Sequence, residues 1–115
     1  MSISGPLRAE VWDLSFDPTV GHEQAGARPA LIASVDLFNE GPAELVVAIP
    51  ITGTERKVRW HVQVAPPEGG LIGRSFIQCE NVRSVSKKRL RRRRGRVSEE
   101  TMQQVEDRLR ILLGL

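Results

Sequence analysis

In 115 residues the chain has one cysteine, Cys79, and two histidines, His22 and His61. A lone cysteine excludes an intramolecular disulfide and has no companion for a zinc site. The histidines lie in different segments without ligand spacing, so a metal hydrolase is not expected. His61 sits beside Trp60 in a strand-like stretch, where packing or plain solvation accounts for it. Nothing makes a glycine-rich phosphate loop, since Gly69-Gly70 lacks the lysine and hydroxyl residue that such a loop needs next. No apolar run approaches the roughly 18 residues of a membrane span, and the first residues lack the apolar region of a signal peptide. The expectation is one domain, residues 1–115, in a reducing cytoplasm, with no metal and no cofactor.

Charge is plentiful but unevenly placed. Residues 87–96, KKRLRRRRGR, carry eight positive charges, and because the whole chain nets +3 the remainder nets −5. Such a patch attracts polyanions and raises the rate of encounter with them. A solvated, self-repelling loop is the bland alternative for a basic run taken alone.

The hydrophobic pattern is mostly that of short strands. From Arg8 to Phe16, residues Trp12, Leu14 and Phe16 alternate with Val11, Asp13 and Ser15, the period of a half-buried strand. Asp17-Pro18 breaks it, and the glycine-rich polar stretch through Arg28 reads as a long loop. Pro29 to Val35 and Glu44 to Ile51 read as buried strands, with Pro50 marking an edge or bulge. Trp60, Val62 and Val64 share a face of the next strand, Pro66 to Gly73 is a turn, and Ser75 to Val85 holds one or two strands. The C-terminus differs: Ser98 is an N-cap, Glu99 and Glu100 suit the positive end of a helix dipole, and Gly114 ends the helix. Met102, Val105, Leu109 and Leu112 form a stripe expected to pack on the sheet. The expected fold is mainly β, a small barrel closed by one C-terminal helix.

Three segments are more specific than this pattern. Gly21-His22-Glu23-Gln24-Ala25-Gly26-Ala27-Arg28-Pro29 follows Asp17-Pro18 and leads into an apolar strand. Ile49-Pro50-Ile51-Thr52 ends the next strand, and Asn81-Val82-Arg83-Ser84-Val85 follows later. In order and over nearly the whole chain, these resemble the MazF/PemK family, whose motifs are G-x-E-Q-x-G-x-R-P, P-x-T or I-T, and Q-(I/V)-R-(T/S)-(I/V). Asn81 stands where glutamine is common, and the 87–96 run is more basic than usual, so its role does not carry over.

The resemblance implies a small SH3-like barrel of the CcdB/PemK type that dimerises. It implies the toxin of a type II toxin–antitoxin system: an endoribonuclease that cuts single-stranded RNA without a metal and is blocked by a MazE-like antitoxin. By motif match the catalytic pair is Arg28 and Thr52, and His22, Glu23, Gln24, Asn81 and Arg83 contact RNA. The chemistry suits those residue types. RNA carries its own nucleophile in the 2′-OH, so catalysis needs orientation, charge stabilisation and proton transfer. An arginine fork matches phosphate oxygens, and a threonine hydroxyl orients a 2′-OH or phosphate oxygen. Which group takes the proton stays open, as does whether Glu23 and Gln24 position the arginine or touch a base. A gyrase poison of the CcdB type, acting by protein binding alone, is the alternative; an RNA-binding module using only the basic run is a third.

Overall fold

A computed structural model describes residues 5–15 and 27–115. Among these residues there are seven strands: β1 (Glu10–Ser15), β2 (Ala27–Ile32), β3 (Leu45–Thr52), β4 (His61–Val64), β5 (Ser75–Gln78), β6 (Arg83–Ser86) and β7 (Leu90–Arg96). Two α-helices join them, α1 (Asp36–Glu40) and α2 (Glu99–Leu113). The strands lie in the order β4-β5-β3-β2-β1-β7, with β6 also paired to β3, and every pairing is antiparallel. The first and last strands of this order do not pair, so the expected barrel is an open, curled sheet.

Alternation along the central strands builds two cores. Leu31, Ile49 and Ile51 join Val62, Val64 and Ile77 on one face, where Met102 and Val105 of α2 cover them. Ala30, Ile32, Val46 and Ala48 point the other way and pack with Leu14 and Val85, flanked by Trp12 and Leu90. The first strand therefore departs from its half-buried pattern. Val11 and Leu14 are both fully buried, on opposite faces as alternation dictates, because β1 has one core on each side. Phe16 lies outside the described residues.

The helix signals hold. Ser98 Oγ accepts from the Thr101 N–H at 3.1 Å, and Gly114 adopts the left-handed conformation that ends α2. Glu68, on a 3-10 turn, reaches the same helix end and accepts from the Ser98 N–H at 2.8 Å and the Thr101 hydroxyl at 2.5 Å. The short helix α1 falls inside the stretch after the second strand, which ends at Ile32 rather than Val35. Its Asn39 is buried and donates to the Ser34 carbonyl at 3.1 Å, a polar anchor invisible to hydrophobic periodicity.

The basic run is neither loop nor free patch. Lys87–Arg89 form a 3-10 turn and Leu90–Arg96 are β7, the strand at the β1 edge of the sheet. Carboxylates of β1 hold three of its arginines: Arg93 Nε lies 2.7 Å from Glu10, while Arg94 and Arg92 lie 3.1 and 3.7 Å from Asp13.

Candidate active-site cleft

The cleft arises where the ladder between β2 and β3 opens. Ala30, Leu31 and Ile32 pair with Pro50, Ile49 and Ala48. Pro50 has no N–H to donate, so the ladder weakens at this residue. The β2–β3 pairing ends there, before Arg28 on one strand and Thr52 on the other. Beyond Pro50, β3 pairs instead with β5, through Ile51 with Ile77 and Thr52 with Phe76.

The other wall comes from the same edge of β3. Strand β6 pairs with Leu45 to Ala48 and β5 with Ile51 and Thr52, so residues 79–82 bulge out beside Ile49 and Pro50. That bulge is a 3-10 turn, Cys79–Asn81. Sequence placed a bulge at Pro50; it lies in the neighbouring segment, and β3 itself is a central strand.

Between the walls is a cleft of about 610 Å³. Arg28, Pro50, Ile51, Thr52 and Arg56 line one side, and Gln78, Glu80, Asn81, Val82 and Arg83 the other. Arg28, Thr52, Asn81 and Arg83, named from sequence, are thus brought together. His22, Glu23 and Gln24 lie outside the described residues. Arg28 belongs to β2 rather than to the preceding loop, which puts its Cα on a hydrogen-bonded scaffold. Thr52 Oγ1 accepts from the Thr54 N–H at 3.2 Å, so the turn orients the hydroxyl and leaves its proton to donate.

Among the described lining residues, Arg28, Arg56 and Arg83 carry guanidinium groups and Glu80 a carboxylate. Sequence reading missed Arg56 and Glu80. Arg56 sits in a polar loop without a pattern, and Glu80 becomes notable only through a partner 19 positions away. That partner is His61, whose Nε2 lies 2.9 Å from Glu80 Oε2. The His61 side chain is 4% exposed, so it is packed rather than solvated. A second, smaller hollow of about 350 Å³ shares Arg83 and runs past Ser84 and Ser86 to Arg89 at the start of the basic segment.

Other chemistries find little support here. Burial pushes the Cys79 thiol up to about 11, despite the opposing charge of Arg108, so it is no ready nucleophile. Among the described residues no three His, Cys, Asp or Glu side chains come together to hold a metal ion.

Residues 7–113 match the family described as PemK-like, MazF-like toxin of type II toxin–antitoxin system. The chain belongs to this family. It is 32% identical over 109 residues to endoribonuclease EndoA of Bacillus subtilis strain 168, covering 94% of both chains. Among solved structures it resembles a mycobacterial endoribonuclease in complex with its cognate antitoxin, with 30% identity, a TM-score of 0.77 and 96% of each chain covered. MazF from Deinococcus radiodurans is 28% identical with a TM-score of 0.80, over 98% of this chain and all of that one. The family accounts for the likeness in sequence and in fold together. Among the described residues no helix is long and apolar enough to cross a membrane.

Proposed function

We propose that this toxin cuts single-stranded RNA in the cleft between Arg28 and Thr52, the whole chain acting as one endoribonuclease domain of a type II toxin–antitoxin pair. The observation that supports the reading is that Arg28 and Thr52 line one cleft together with Arg56, Asn81 and Arg83.

The 2′-OH attacks the adjacent phosphate in line, and negative charge grows on the phosphorane oxygens. Arg28 stabilises that charge with its fork of donors. Thr52, held by the Thr54 N–H, orients the 2′-OH or a phosphate oxygen with its hydroxyl proton. As the 2′ oxygen bonds to phosphorus the bond to the 5′ oxygen breaks, and the proton lost from the 2′-OH is matched by one gained at the 5′ oxygen, giving a 2′,3′-cyclic phosphate and a 5′-hydroxyl end. Asn81 and Arg83 line the path of the chain through the cleft. His22, Glu23 and Gln24 extend the RNA contact from the preceding segment. The RNA supplies the nucleophile, so the reaction proceeds without a metal.

The regulating partner is a MazE-like antitoxin, in keeping with the mycobacterial relative solved with its own antitoxin. An extended acidic and apolar segment of that partner suits a cleft with three arginines. The toxin acts in the cytoplasm as a homodimer; light scattering across a dilution series is expected to give twice the monomer mass at micromolar concentration. A CcdB-like gyrase poison, which needs no arginine and threonine pair, is not favoured.

Purified protein incubated with a long single-stranded RNA in EDTA is expected to yield fragments ending in cyclic phosphate. Intact RNA, or fragments with 3′-hydroxyl ends, would overturn this reading.

A further inference from the structure

Glu80 has the wrong charge for a polyanionic ligand. It lines the cleft beside Arg28, Arg56 and Arg83, and the polyanion these arginines attract is repelled by a carboxylate. A carboxylate accepts hydrogen bonds only, so it belongs beside a donor. The donors of RNA are the 2′-OH and the N–H groups of the bases, whose Watson–Crick edges are open in single strands.

His61 decides how this carboxylate is presented. Because Glu80 only accepts, His61 Nε2 must be the donor across their 2.9 Å contact. The imidazole is 4% exposed and its Nδ1 has no partner among the described residues, so the ring is a dry, packed strut. The strut comes from the sheet: β4 pairs His61 with Gln78, two residues before Glu80. One carboxylate oxygen is thereby pinned, and Oε1 has no partner among the described residues. Asn81, the next residue of the same turn, adds an amide to this wall of the cleft.

We infer that Glu80, pinned by His61, reads the Watson–Crick edge of a guanine held beside the cut phosphate. Oε1 and the second lone pair of Oε2 match the adjacent N1–H and N2–H donors of guanine. A 2′-OH offers one donor. Cytosine and adenine offer one amine beside a ring nitrogen that repels the second oxygen, and uracil flanks its N–H with two carbonyls. His61 acts as a positioning residue and does not touch RNA. This inference rests on the proposal that the cleft is the cutting site.

The test uses a random single-stranded RNA pool cut by the full chain, with the 5′-hydroxyl ends sequenced. Wild type is expected to require guanine at one fixed position. Glu80→Gln relaxes that position roughly tenfold or more, the scale of one bidentate base contact, and leaves the other positions alone. Inosine, which lacks the N2 amine, replaces that guanine with a similar loss for wild type and little further loss for Glu80→Gln. His61→Leu, which keeps volume but removes the donor, relaxes the same position. Binding of uncleavable 2′-deoxy oligonucleotides, guanine against inosine, reads the contact without cutting. No guanine preference in wild type, an unchanged profile for Glu80→Gln, or loss of cutting on every sequence as deep as that of Arg28→Ala would overturn the inference. The last result would make Glu80 a proton acceptor. Failure of the cleft assignment is separate: Arg28→Ala would then cut at the wild-type rate.

Discussion

Gly70 and Gly95 pass backbone against backbone where the 3-10 turn at Glu68–Gly70 crosses β7. A Cβ on Gly95 would lie 2.6 Å from the Gly70 nitrogen, and one on Gly70 would lie 2.1 Å from the Arg94 carbonyl oxygen. Neither obstacle is a side chain that can swing aside. This contact seats Glu68 at the start of α2. Gly95→Ala is therefore expected to destabilise the fold by about 1–3 kcal/mol, the scale of overpacking. Urea denaturation checks this, and a midpoint equal to wild type would show that the crossing yields easily.

Acid sensitivity is expected at the same joint. Burial by itself would raise the Glu68 pKa, but hydrogen bonds from Ser98 and Thr101 outweigh it and hold the carboxyl below its ordinary value. A lowered folded-state pKa stabilises at pH above the unfolded value and loses that contribution as pH falls through the folded one. Glu68→Gln is expected to flatten this acid limb and to lower stability at neutral pH. Thermal melts from pH 7 down to pH 3 for both proteins measure it; parallel curves would contradict it.

Arg28→Ala and Thr52→Ala are expected to keep the fold and lose cleavage. Arg28 is exposed and Thr52 half-buried, and neither belongs to the two apolar cores. Loss of one preorganised donor to a developing oxyanion commonly costs about 10²–10³ in rate. Circular dichroism with single-turnover kinetics separates folding from chemistry, and wild-type turnover in a folded Arg28→Ala protein would refute the assignment.

The basic run is expected to divide into two groups. Lys87, Lys88, Arg91 and Arg96 have no carboxylate partner among the described residues, and neither has Arg89, which donates to the Ser15 carbonyl. Changing the first four to glutamine is expected to weaken binding of an uncleavable RNA and flatten its salt dependence. Each lost phosphate contact removes about 0.7 from the slope of log K against log salt. Arg93→Gln instead leaves Glu10 nearly buried with only Trp12 and Leu7 as donors, and about 1 kcal/mol of stability is the expected loss. Equal salt slopes for wild type and the fourfold variant would show that those cations do not meet RNA.

Local chemistry was readable from the chain alone. Ser98, Gly114 and the stripe through Met102 and Val105 specify α2, because capping and helical period depend on neighbours in sequence. The branched apolar run of β3 and the alternation of β4 were readable for the same reason, and the ordered motifs around Arg28, Thr52 and Asn81 pointed to the family. What only the tertiary structure decided are relationships set by strand pairing. Strand pairing, not spacing, brings Arg28 and Thr52 to one cleft, His61 behind Glu80, and the carboxylates of β1 against the arginines of β7. An eightfold positive run looks like a free surface in sequence because Glu10 and Asp13 lie about 80 positions away. Antiparallel pairing brings opposite charges within hydrogen-bond distance, and Coulomb attraction at about 3 Å then settles which cations stay with the fold.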